Sequence, residues 1–258
     1  MNESFQFHVG QFTCLAIRDG DDWDRTVLLV NTGQHLVLID TGTGDTVSPP
    51  GLLMDRLRAA GISATDIDVV VLTHADFDHI GGATDAHGTL KFPQARYVLS
   101  HDEWTFWESK PERVQPNAEI DDDFLQFAQE VVETRLSQLH GIIELIDSNT
   151  TIVPGIRSIA APGHTPGYLA IVVSSDNEHL LFIGDLIRDP KDIENPDWYS
   201  IWDFDPVQVV KTQHQLLTQA VNEKMLVMAS HMTFPGLGYV AQQESAWRWM
   251  AHETVLAN

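Results

Sequence analysis

The chain predicts an α/β fold of stacked layers, and three observations carry that prediction. Short β-branched runs alternate with segments of helical periodicity along its whole length. Four of the apolar runs stop abruptly at metal-capable residues, in HADFDH, GHTPG, GD and SH, in that order. Finally, 258 residues can bury a substantial core, and we read residues 1–258 as one domain.

Residues 5–18 and 26–30 alternate or run apolar and predict paired strands. Between them, DGDDWD at 19–24 predicts an exposed acidic loop. NTGQHLVLIDTGTGD predicts a hairpin turn and a strand over 35–39, followed by a Gly-rich turn that opens at Asp40. PPGLLMDRLRAAGI at 49–62 predicts a helix, with proline at its front, apolar residues at helical spacing and Gly61 at its end.

The stretch VVVLTHADFDHIGG at 69–82 organises the chain. Its valines predict a buried strand, which ends in His74, Asp76, Asp78 and His79 within six residues. Buried charge is costly unless paired or coordinated, so a metal cluster is the physical answer. Gly81 and Gly82 let the backbone pass close to whatever those side chains hold. A helix is expected to start near Asp78, and a strand over 96–99.

HDEWTFWESK, from His101, is aromatic and partly helical; its Trp104, Phe106 and Trp107 read as ordinary packing before pocket wall. Residues 110–124 carry two prolines and predict a loop or insertion. DDDFLQFAQEVVETRLSQL predicts an amphipathic helix with acids at its N-terminus, where the helix dipole favours them. Together, 101–140 predict a helical cap over the site.

Strands are expected over 142–146, 156–160 and 168–173. Between the last two, Pro-Gly pairs flank His164 and leave it little freedom, which suits a pre-positioned ligand. HLLFIGDLI predicts a strand delivering Asp185; residues 190–205 read as irregular and aromatic. A helix over 206–222, a buried strand in KMLVMAS that delivers His231, and a final helix over 242–254 complete the reading.

The motif HADFDH resembles the HxHxDH signature of the metallo-β-lactamase-fold hydrolases, with Asp76 where that family has its second His. The later motifs follow in the order the family uses. FDPVQVVKTQHQLL through SHMTFPGLG resembles the branch holding methyl parathion hydrolase and the acyl-homoserine lactone lactonases. The resemblance implies a four-layer αββα sandwich with metals at the edge of its two sheets. It also implies one site of His74, Asp76 and His164, a second of Asp78, His79 and His231, and Asp185 bridging both. Asp40, in the family's "DTG" loop, is then a partner for a ligand His, or else part of a simple turn.

The implied activity is a binuclear hydrolase whose metal-bridging hydroxide cleaves an ester, lactone or phosphotriester-like bond, oriented by Asp185 or Asp78. Three carboxylates make the cluster less positive than the family pattern does. Their hard oxygens favour iron or manganese alongside zinc. Arg188 either binds a substrate carbonyl or carboxylate, or pairs with an acid such as Asp189. Tyr168, Trp198, Trp202 and Phe234 are candidate pocket walls. Two rivals stay open. One is a mononuclear non-haem iron oxygenase built on the two His and one carboxylate of the first site. The other is a non-catalytic metal-dependent binding or sensor protein.

A net charge of −22 argues against nucleic acid and anionic membranes as partners, and against a nuclease. The opening MNESFQFHVG has no export signal and Cys14 is the lone cysteine, so the expected setting is cytoplasmic. The expected partner is a small-molecule substrate, and the aromatic loops suggest a homodimer. Neither a true β-lactamase nor an electron-transfer protein with a flavodoxin-like domain is expected.

Overall fold

Alternation at period two sorts the strand residues onto two faces, and the computed structural model shows what each face meets. It describes residues 3–21, 23–111, 121–195 and 197–252. Among these, two seven-stranded sheets form. The first runs in chain order: β1 (Ser4–Val9), β2 (Phe12–Arg18), β3 (Thr26–Asn31), β4 (Leu36–Ile39), β5 (Val69–Val71), β6 (Arg96–Ser100) and β7 (Glu144–Ile146). Its first four strands pair antiparallel, and β4 to β7 pair parallel.

Parallel neighbours need crossovers. These carry α1 (Leu53–Ala59), α2 (Phe77–Ile80), α3 (His101–Glu108) and α4 (Asp122–Leu139). The second sheet holds β8 (Thr151–Val153), β9 (Ile156–Ala160), β10 (Leu169–Ser175), β11 (Glu178–Phe182), β12 (Leu226–Met228), β13 (Leu237–Gln243) and β14 (Ala246–Ala251). Only β11 and β12 pair parallel there, joined through α5 (Pro190–Glu194) and α6 (Pro206–Asn222).

Leu28 and Val30 point between the sheets, where they meet Ile171, Val173, Phe182 and Met228. Val27 and Leu29, one residue out of phase, face outward onto a second core shared with α1, α3 and α4. The outer face of the second sheet packs in the same way on α6, through Val209, Leu216 and Leu217. The layers are therefore helix, sheet, sheet, helix, as expected.

Four local expectations are corrected. Residues 242–252 form no helix: β13 and β14 make a hairpin, with Glu244 at φ 55° in its turn and Trp247 buried. AWRWMA alternates, and an unpaired β12 edge is there to be covered, so period two prevails over helix propensity. Asp19 is wholly buried, not exposed. It accepts from the amides of Thr43 and Leu53 and pairs with Arg25, which satisfies its charge. Helix α1 starts later than the prolines, because the Gly51 and Leu52 amides bond back to Gly44 and Asp19. Within 190–205, residues 190–194 are helical, started by Asp189 in a capping box with Asp192.

Trp104 and Trp107 are buried in the second core, as packing residues. Most of the expected loop over 110–124, residues 112–120, lies outside the described residues.

Candidate metal centre

Strand β5 ends at Val71, and the chain turns through Thr73 and His74 into α2, whose first turn carries Asp78 and His79. Gly82 is required at the far end of that turn: a Cβ there would lie 2.1 Å from the Thr41 carbonyl oxygen. The glycine therefore admits the loop after β4, and not the ligand cluster as the sequence reading held.

Asp40, at the head of that loop with φ 66°, reaches across to accept from the Thr73 amide at 2.8 Å. It also takes the Nδ1 proton of His79 at 2.8 Å, as expected of a ligand's partner. His164 comes from the β9–β10 loop, Asp185 from the 3₁₀ turn after β11, and His231 from the turn after β12. All seven predicted ligand residues therefore arrive at one end of the two sheets.

The side chains fall into two groups joined by Asp185. His74, His164 and Asp185 offer ligand atoms within 4.8 Å of one another, and so do Asp78, His79 and His231. Asp76 borders the first group, its Oδ2 lying 3.4 Å from His164 Nε2 and 3.9 Å from His74 Nε2. Asp185 spans both groups. Its Oδ1 is 2.9 Å from His79 Nε2, and its Oδ2 is 3.0 Å from His231 Nε2 and 3.7 Å from His164 Nε2.

Each imidazole is held by its outer nitrogen. His79 uses Asp40, His164 uses Asp203 at 2.8 Å, and His231 uses the Asp24 carbonyl at 2.8 Å. The Thr73 hydroxyl gives its proton to Asp40, so its oxygen accepts from His74 Nδ1 at 3.0 Å. With Nδ1 protonated in every case, Nε2 turns its lone pair inward. Among the described residues, Nε2 of His74, His79 and His164 and Oδ1 of Asp185 are buried with no hydrogen-bond partner. Leaving such groups unmade costs about 1–3 kcal/mol each. Divalent cations fit this nitrogen and oxygen set, and zinc, iron and manganese all suit it.

The electrostatics favour the same occupant. Burial alone depresses the pKa of His79, but the Asp185, Asp40 and Asp78 carboxylates outweigh it and raise it well above the ordinary range. For His164, burial is likewise outweighed by the bond to Asp203 and the nearby Asp76 and Asp185 carboxylates, and the pKa rises to about 9. His74 goes the other way, because its burial and the neighbouring His79 prevail over the acids. Burial opposes ionisation of Asp185, yet the His231 and His79 imidazoles hold its carboxyl well below the usual carboxylate range.

A cavity of about 450 Å³ opens beside the centre. Asp76, Asp78 and Arg188 form its polar wall, and Phe77, Phe124 and Trp202 its aromatic one. Phe124 bridges the other two rings at centroid distances of 5.5 and 5.8 Å. Of the candidate walls named from sequence, only Trp202 lines this space. Tyr168 is buried behind the cluster, donating to the Ile183 carbonyl and accepting from the Asp185 amide. Phe234 packs against the inter-sheet core, and Trp198 does not line the cavity.

Arg188 donates to Asp185 Oδ2 at 2.9 Å, so the acid it pairs with is Asp185, the carboxylate between the two groups. Trp23, also on the cavity, stacks on His231 at 5.2 Å beneath the Arg25 guanidinium. Sequence reasoning missed Asp203, Thr73 and Trp23. Asp203 sits in an aromatic stretch 39 residues beyond His164, and no local pattern links the two.

Comparison with known proteins gives a consistent picture. The family model described as the metallo-beta-lactamase superfamily matches residues 20–231. Two curated relatives, named probable metallo-hydrolases, from Mycobacterium bovis and Mycobacterium tuberculosis, are each 31% identical over 191 residues. Those matches cover 62% of this chain and 55% of theirs, so the chain spans about half the length of the curated relatives it matches.

Among solved structures, AidC, a dizinc quorum-quenching lactonase in complex with a product, superposes with a TM-score of 0.90 at 26% identity, over 98% of both chains. The hydrolase AbOPH superposes with a TM-score of 0.85 over 98% of this chain and 99% of its own. At 22% identity it attests likeness of fold.

Proposed function

The chain belongs to the metallo-beta-lactamase superfamily, and within it we propose a metal-dependent hydrolase that holds two divalent ions and cleaves an ester, lactone or phosphotriester-like bond. The observation that carries this reading is Asp185. One buried carboxylate faces two separate histidine groups, which is the arrangement a bridging ligand requires. His74, Asp76 and His164 would hold one ion, and Asp78, His79 and His231 the other. When bound, the ions supply a Lewis acid and water acidic enough to ionise near neutral pH.

The chain's own groups supply the rest. Asp78, on the cavity wall, accepts a hydrogen bond from the attacking water and aims it. Arg188 offers its guanidinium to a substrate carbonyl or carboxylate. The aromatic wall takes the apolar part of the substrate and excludes water from it. Helix α4 contributes Phe124 and Ala128 to the cavity, which supports 101–140 as a helical cap on a single domain. The likeness to AidC favours lactones as the first substrate class to test.

Asp76 replaces the imidazole of the family pattern, so three carboxylates face two divalent ions. That lowers the net charge, weakens the Lewis acid and favours iron or manganese beside zinc. A mononuclear oxygenase would use His74, Asp76 and His164 alone. The intact second group of Asp78, His79 and His231 favours the hydrolase.

We take the partner to be a small molecule, not nucleic acid or a membrane surface, with a homodimer and a cytoplasmic setting as further proposals. No described helix is long and apolar enough to cross a membrane. Elemental analysis of protein made in minimal medium tests the reading, alongside Asp76→His and a panel of lactones, esters and phosphotriesters. Two metals per chain with turnover on the panel is the expected result. One iron per chain, unchanged by saturating metal, with oxygen uptake and no hydrolysis, sinks it.

A further inference from the structure

We propose that Glu103 is a positioning residue for the first half of the centre, its carboxylate setting the spacing between Asp76 and His164. The inference rests on the metal-holding reading above. Glu103 belongs to α3, outside every motif, and its side chain is wholly buried. Oε1 accepts from the amide of Ala75, the residue between His74 and Asp76, at 3.0 Å, and from Trp107 Nε1 at 2.8 Å. Oε2 accepts from the hydroxyl of Thr165, the residue after His164, at 2.6 Å. One rigid, planar group thus joins the two chain segments that supply the first-site ligands. Those segments leave different sheets. The Leu169 amide at the head of β10, donating to the Thr73 carbonyl at 2.9 Å, ties their backbones, and Glu103 ties them at the residues next to Asp76 and His164.

The first turn of α3 is seated on the His164 loop by more than this carboxylate. The Ser100 hydroxyl donates to the Gly167 carbonyl at 2.6 Å while it accepts from the Glu103 amide at 3.0 Å. A Cβ on Gly167 would lie 2.0 Å from the Glu103 nitrogen, so only glycine lets the loop approach so closely. Helix and loop are thus held directly against each other, and the Ala75 bond ties them to the HADFDH turn.

The chemistry explains the residue type. Three donors converge on the spot, and a carboxylate accepts from all of them. Its described hydrogen-bond partners are all neutral, so burial of the charge is compensated by bonds alone, which is an expensive way to fill space. A packing role would be served better by leucine. Glutamine can nearly reproduce the arrangement: its oxygen keeps Ala75 and Trp107, and its amide donates to a reoriented Thr165 hydroxyl.

The test is cobalt(II) titration of the wild-type chain, Glu103→Leu and Glu103→Gln. It reads stoichiometry, affinity, the visible ligand-field bands and Tm. In Glu103→Leu we expect the first-site affinity to fall about tenfold, with altered bands and the second ion retained; groups behind metal ligands have effects of this order. Glu103→Gln should restore affinity and bands.

A folded leucine variant with wild-type affinity and bands overturns the proposal, as does a glutamine variant as impaired as the leucine one. If the leucine variant does not fold, Thr165→Val decides. Affinity a few-fold weaker with shifted bands supports the clamp, and unchanged binding overturns it. Two-cobalt binding by wild type with indifferent variants removes this inference alone. Wild type that takes up no cobalt removes the functional reading and this inference with it.

Discussion

His164 Nδ1 lies 2.8 Å from Asp203 Oδ1, and both side chains are buried. The other oxygen of Asp203 accepts from the Ser200 amide at 2.5 Å, and the Phe204 amide donates to the His164 carbonyl, so the loop that follows α5 orients the imidazole of the β9–β10 loop. Removing such a partner costs about 10- to 100-fold in metal affinity. Asp203→Ala should weaken the first site by that much in a zinc competition against a chromophoric chelator. Asp203→Asn, which can still accept from Nδ1, should lose less. Wild-type affinity in a folded alanine variant would show that the bond contributes nothing to binding.

Metal removal should be visible in stability. Ions that bind only the folded chain add RT ln(1 + [L]/Kd), about 2.7 kcal/mol at a hundredfold excess over Kd. For a chain of this size that is about 5–10 °C in Tm. Thermal scans with zinc or manganese, then with chelator, should differ by this amount and reverse on re-addition. A Tm indifferent to both additions speaks against the centre.

The histidine pKa values set a pH window for the metal-free chain. His164 is raised from 6.5 to about 9, so its contribution to stability is complete below 6.5 and is lost as pH climbs through about 9. His79 is raised too and acts in the same direction. His74 is lowered, so it is neutral in both states above 6.5 and its effect is confined to more acidic pH. Denaturation of the metal-free chain should show declining stability from pH 6.5 to 9. Metal uptake should release protons across the same interval, read by calorimetry in buffers of differing ionisation enthalpy.

Phe124 bridges Phe77 and Trp202 while 37% exposed, so it is placed for substrate contact more than for core packing. Phe124→Ala should leave Tm nearly unchanged. It should lower kcat/KM about tenfold for long-chain acyl substrates, through KM, with little effect on short ones; that corresponds to about 1.4 kcal/mol of lost apolar contact. Equal losses on both would remove α4 from the binding site.

The clustered His and Asp side chains and the layer order were legible from sequence for one physical reason. A strand is a short, periodic object, and one that ends in His or Asp advertises itself locally. Thus HADFDH, GHTPG, GD and SH named all seven residues that the structure gathers, and Asp40 came from the resemblance of its DTG loop to that of the family, since the strand and Gly-rich turn alone read equally as a simple turn. Partners across long separations left no such mark. Asp203 and Glu103 look like ordinary loop and helix residues until the fold brings the one against His164 and the other against the residues next to Asp76 and His164. Asp19 read as solvated because its neighbours are acidic, yet the loop after β4 and the start of α1 close over it.

The last element shows the same division. Residues 246–251 alternate, but their composition suits a helix almost as well. What settles them as β14 is the neighbouring edge of β13, onto which they fold back through the turn at Glu244, and β13 is itself fixed by its pairing with the distant β11–β12 part of the sheet. Local periodicity and residue chemistry thus specify which side chains can bind. Hydrogen bonding and packing between distant segments specify how those side chains are held, and only the folded chain brings those segments together.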